Sequence, residues 1–77
     1  MFCEDDVVVI ITEHPVGATE YVYGRPGVVI NVTVDDGDTF YDVKDITGSE
    51  YAYDGSGLRD ADWEEIRDAF VVLVKCM

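Results

Sequence analysis

Gly24 to Asp45, GRPGVVINVTVDDGDTFYDVKD, reads as one β-hairpin closed by Asp36 and Gly37. Two alternating runs meet at an Asp-Gly pair, the strongest short-range hairpin signal, because both central positions of the matching turn need positive φ. With Asp36 and Gly37 as the loop, Asp35 faces Asp38, Val32 faces Tyr41 and Ile30 faces Val43. That register gathers Val28, Ile30, Val32, Val34, Tyr41 and Val43 on one face and Val29, Asn31, Thr33, Phe40, Asp42 and Lys44 on the other. A slip of one residue would invert both faces.

Working outward, the 77 residues form one domain, 48% hydrophobic. That content is ordinary for a folded chain. A chain this short sits near the limit for a single core, since ordering costs roughly 1.5 kcal/mol per residue and burial barely exceeds it. No run approaches the length of a membrane span. The opening Met1-Phe2-Cys3-Glu4-Asp5-Asp6 has no basic or apolar leader pattern, which points to a cytoplasmic protein. Cys3 and Cys76, one at each end, read as free thiols, with a disulfide open only if the two ends meet. Without a CxxC or a His partner, zinc and thioredoxin-type chemistry are disfavoured.

Charge is the outlier. Seventeen acidic residues against five basic give −12 at pH 7, where a domain of this size carries a net charge of about 2 to 8 in magnitude. Such an excess opposes direct binding to DNA, RNA or an anionic membrane, which need basic footprints. It suits a basic protein partner, or solubility alone. Crowded carboxylates are also expected to have raised pKa values, so that added salt and mild acidification stabilise the fold.

Asp6 to Thr12, DVVVIIT, is a β-branched run without alternation, which predicts a strand covered on both faces. His14-Pro15 ends it. A short strand is conceivable at Glu20 to Tyr23, and Gly24-Arg25-Pro26-Gly27 is turn chemistry. After the hairpin, Thr47-Gly48 marks a turn of two to four residues and Glu50 to Asp54 a strand with Tyr51 and Tyr53 on one side. Gly55-Ser56-Gly57 reads as a flexible break. Asp62 with Glu65 three residues on makes an aspartate capping box, predicting a helix over Ala61 to Ala69. Trp63, Ile66, Phe70, Leu73 and Met77 follow one helical stripe, yet Phe70 to Val74 is equally a closing strand, and both remain open.

The order of strand, long loop, Gly24 and Gly27 with Val28-Val29-Ile30, acidic turn, Tyr41 with Val43, and Leu58-Arg59 resembles the small SH3-like barrels of the KOW and Tudor kind over about residues 5–59. The resemblance implies a mainly β, SH3-like barrel of about five antiparallel strands, to which the residues themselves add a C-terminal helical segment, helix or strand over 60–77. It also implies a binding function more than an enzymatic one. RNA-binding KOW modules tend to be basic, so RNA binding does not carry over to this acidic chain. A Tudor-like cage would draw on Tyr21, Tyr23, Phe40, Tyr51 and Tyr53, but no spacing demands one.

No residue set announces catalysis. The single His14 has no recognisable nucleophile partner, and a catalytic acid needs an apolar pocket to shift its pKa. Asp35-Asp36-Gly37-Asp38 lacks the spacing of a calcium loop. We therefore expect no catalytic residue, no metal site and no cofactor. Two acidic clusters remain as candidate partner-binding residues: Asp35, Asp36, Asp38 and Asp42 with Phe40 on the hairpin, and Asp60, Asp62, Glu64, Glu65 and Asp68 on the C-terminal segment. Carboxylates spread over a rigid sheet, with alternate residues about 6.7 Å apart, can present a phosphate-like array. In size and charge the chain resembles phage-encoded anti-restriction and anti-CRISPR inhibitors that mimic nucleic acid, which would act in the host cytoplasm. The alternative is an SH3-like interaction module binding a peptide or subunit through Phe40, Tyr21 or Tyr23. A homodimer through the C-terminal apolar stripe stays open.

Overall fold

The computed structural model describes residues 2–67. Its five antiparallel strands are β1 (Val7–Ile10), β2 (Pro26–Asp35), β3 (Asp38–Asp45), β4 (Glu50–Asp54) and β5 (Leu58–Asp60). They form one sheet in the order β4-β3-β2-β1-β5. Among the described residues β4 and β5 are not paired to each other, so the sheet is unclosed. A 3-10 turn, Gly55–Gly57, joins them, and residues 63–67 are helical.

β1 lies between β2 and β5. This explains its unbroken apolar run, since Val8, Val9 and Ile10 are all buried. The strand is shorter than the sequence predicts. Asp5 takes a positive φ of 71°, and the Ile11 amide already bonds to the Gly57 carbonyl across the connection.

The hairpin holds its expected register from the tip to Asn31 opposite Asp42, then departs from it. A β-bulge lies between Val29 and Asn31, and Val29, not Ile30, faces Val43. One extra residue in β2 shifts every side chain beyond it to the other face. Val29 is therefore fully buried, while Ile30 is exposed and Val28 only half-buried. Gly27 fits because β3 lies directly against it. A Cβ there would meet Val43 Cγ1 at 2.6 Å and the Lys44 carbonyl at 2.8 Å.

The turn from β3 to β4 takes four residues (46–49), with Gly48 at φ 88°. It sets Tyr51 opposite Val43 and Tyr53 opposite Tyr41. Both tyrosines face inward, where Val8, Ile10, Val22, Val29, Tyr41, Val43, Tyr53 and Leu58 make the core. Phe2 closes the far end of this core, its ring edge-on to Tyr41 at 5.4 Å. Residues 20–23 are loop, not strand. They hold shape because Val22 is buried and its amide bonds to Glu13.

Gly55-Ser56-Gly57 is not a flexible break. Asp54 caps it, Oδ1 accepting from Gly57 N at 3.0 Å and Ser56 Oγ at 2.6 Å. The capping box forms as expected: Asp62 N donates to Glu65 Oε1 at 3.0 Å and Glu65 N to Asp62 Oδ1 at 2.9 Å. Trp63 opens the apolar stripe but is 75% exposed. Ile66, the next residue of the stripe, is half-buried, while Phe70, Leu73, Met77, Asp68, Cys76 and the choice between helix and closing strand lie outside the described residues. Cys3 is a free, exposed thiol.

Candidate acidic interface

Asp36 and Gly37 adopt φ 49° and 81°, the double positive-φ turn whose twist matches a tight hairpin. Asp35 and Asp38 close it as a directly opposed pair. From there strand alternation does the sorting. Tyr41, Val43 and Asp45 are buried, so Asp38, Phe40, Asp42 and Lys44 occupy the opposite face of β3. Cross-strand partners share a face, which adds Asp35, Thr33 and Asn31 from β2 and Asp54, Ala52 and Glu50 from β4.

The outer face of β2, β3 and β4 therefore brings Asp35, Asp38 and Asp42 together with Glu50 and Asp54 around the half-buried Phe40. Phe40 stands between Thr33 and Asp54, and Asp42 between Asn31 and Ala52. Asn31 Nδ2 donates to Asp42 Oδ2 at 3.4 Å. Lys44, opposite Glu50, is the one cation these three strands carry. Two open hollows dent this region. One of about 440 Å³ is bordered by Asp38, Phe40, Asp54 and Ser56. One of about 190 Å³ is bordered by Ile30, Asp42, Glu50 and Ala52. The Ser56 hydroxyl, then the turn amides, hold the Asp54 carboxyl below its ordinary pKa, so it stays ionised.

The C-terminal cluster lies elsewhere. Asp60 pairs with Val8, and Val8 with Gly27 on β2. From Gly27 to Asp35 is roughly 26 Å of strand, so Asp60 stands well away from the hairpin tip. Glu65 and Asp62 also have local duties. Arg59 grips Glu65 with both terminal nitrogens, at 3.0 and 2.8 Å. That guanidinium, with the Asp62 amide, pushes the Glu65 pKa down to about 2. Glu64 is exposed, and Asp68 is outside the described residues.

The aromatic alternative finds no common patch. Tyr21 and Tyr23 are exposed on the loop between β1 and β2, and Tyr21 stacks edge-on with His14. Among the described residues no ring contact joins either to Phe40. His14 Nδ1 meets the Glu20 carbonyl oxygen at 3.1 Å. No group of three or more His, Cys, Asp or Glu side chains is placed to hold a metal ion among the described residues. Nor is any helix among them long and apolar enough to cross a membrane.

Sequence reasoning missed two things. Glu50 and Asp54 belong to the hairpin's acidic face, and the inward Tyr51 and Tyr53 were the signal, because their neighbours must point out. It also missed an ionic cluster at the base of the loop. Arg25 Nη1 donates to Glu20 at 2.9 Å and to the fully buried Asp45 at 3.1 Å. The Tyr51 hydroxyl makes a short hydrogen bond to Glu20. That bond first, and Arg25 second, hold the Glu20 pKa below its usual value. No local pattern links residues so far apart in the chain.

Comparison with family models, with curated proteins and with solved structures finds no match to this chain.

Proposed function

We propose that this is a non-enzymatic binding domain whose outer β2–β3–β4 face docks on a basic protein surface, in the manner of a nucleic-acid mimic that inhibits a nucleic-acid-binding protein. One observation carries the reading: Asp35, Asp38, Asp42, Glu50 and Asp54 share a single sheet face with one lysine. Fixed carboxylates on a rigid sheet resemble a phosphate array, and a concentrated field of one sign steers a cationic partner. Phe40 at the centre supplies the apolar contact that charge alone lacks. The strand order, the long first loop and the 3-10 turn before β5 also suit an SH3-like barrel, in which β4 and β5 would approach one another.

The test is affinity capture, then binding of the captured protein to the intact chain and to Asp35→Asn/Asp36→Asn/Asp38→Asn/Asp42→Asn. The reading expects a basic nucleic-acid-binding protein, displaced by duplex DNA, with affinity falling steeply in salt and lost in the fourfold variant. A partner that binds this variant normally and ignores salt would favour a peptide-binding module instead.

A further inference from the structure

Among the described residues, the outer half of β2 has a neighbour on one side only. β1 pairs with Pro26 to Val28. One more step is added where Asp5 N donates to Val29 O at 2.7 Å and Val29 N to Asp6 O at 2.9 Å. There β2 carries its bulge and Asp5 takes a positive φ, while Phe2 packs back against Tyr41 on the inner face. From Asn31 to Asp35, β2 pairs with β3 and, among the described residues, with nothing else.

The turn fixes which groups are left over. In a two-residue hairpin the closing pair is hydrogen-bonded, and bonded pairs alternate along the ladder. Asp35 and Thr33 therefore spend their backbone groups on Asp38 and Phe40, while those of Val32 and Val34 point to the open edge. Val34 is 70% exposed. An edge of this kind is a template for another strand.

We propose that this edge accepts an extended segment of the partner, added as a strand beside Asn31 to Asp35, with Lys or Arg alternating with apolar residues. The inference rests on the reading of the acidic face and supplies the mode of attachment. Its pattern follows from the pleat. On the outer face the added side chains would lie beside Asn31, Thr33 and Asp35, within the field of Asp38 and Asp42, and basic groups suit them. On the inner face they would lie beside Val32 and Val34, and apolar groups suit them. A second copy of this chain fits poorly, because it would bring one acidic edge against another and like charges opposed across strands repel.

The test uses the intact protein and a capped nine-residue peptide of alternating Lys and Val. A second peptide of equal charge carries N-methyl groups along one edge. Val34→Pro removes an outward N–H and leaves the β2–β3 ladder whole, since proline is tolerated where the missing donor faced solvent. The proposal expects Val34→Pro and N-methylation each to weaken binding by about tenfold or more, with the circular dichroism of the variant unchanged. Equal affinity for both peptides, with the fourfold Asn variant still losing both, overturns strand addition and spares the acidic-face reading. Binding indifferent to the four Asn substitutions overturns both. A concentration-dependent dimer abolished by Val34→Pro would give the edge to a second copy and overturn the proposed partner.

Discussion

Arg25 and Asp45 meet at 3.1 Å, with the Asp45 side chain wholly shielded from water. Arg25 ends the first loop and Asp45 ends β3, so the pair ties the loop to the sheet. The carboxylate also accepts from Thr47 N at 2.9 Å, Thr47 Oγ1 at 2.5 Å and Ser49 N at 3.3 Å. Removing one partner strands a buried charge, and breaking such a pair costs about 3 kcal/mol at the low end. Arg25→Met should therefore lower the melting temperature far more than Arg59→Met, whose ion pair is largely exposed. Equal losses would mean the buried pair contributes little.

The bulge makes a second contrast. Val29 is fully buried and Ile30 is 41% exposed. Val29→Ala should cost about 2 kcal/mol, from lost transfer energy plus a small cavity. Ile30→Ala should stay within about 0.5 kcal/mol. Chemical denaturation of the two variants decides it, and the reverse ranking would mean the regular register expected from sequence.

Acid sensitivity follows from three carboxyls. Glu65 is pushed down to about 2, first by Arg59 and then by the Asp62 amide. Glu20 is lowered first by the Tyr51 hydroxyl, and Asp54 first by Ser56. Each folded pKa lies below its unfolded value, so each contributes stability that is present above about pH 4.3 and is lost on acidification. For Glu65 that loss runs down through about pH 2. These groups run against the expectation, drawn from crowding, that mild acid stabilises. The melting temperature should fall steadily below about pH 4.3, less steeply in Glu65→Gln, and a rise between pH 7 and 4 would contradict this.

Tyr53 has a buried hydroxyl without a hydrogen-bond partner among the described residues. Burial, aided by the Asp45 charge, pushes its pKa up to about 12. An unmatched buried polar group costs about 1 kcal/mol or more. Tyr53→Phe should accordingly raise the melting temperature, and a clear drop would show that the hydroxyl has a structural role.

The hairpin, β4 and the capping box were legible because each is written locally: Asp36-Gly37, the alternation of Tyr51 and Tyr53, and Asp62 with Glu65. The bulge was not, because Val28, Val29 and Ile30 are all apolar and either face can bury them. Only contact with Val43 and the N-terminal turn selects Val29. The acidic hairpin face was half legible. Asp35, Asp38, Phe40 and Asp42 follow from one strand period, whereas Glu50 and Asp54 join only once the four-residue turn sets the β3–β4 register. The distance of Asp60 from the hairpin tip needs the full strand order, which no single segment encodes.

Amide chemical-shift mapping during titration with an arginine-rich peptide tests the central claim most directly, because it reports where on the surface a cationic partner sits. The account predicts salt-sensitive shifts confined to Ile30 to Asp42 and Glu50 to Asp54, with residues 60–65 unmoved. Shifts spread evenly over the molecule, or concentrated at 60–65, would contradict it.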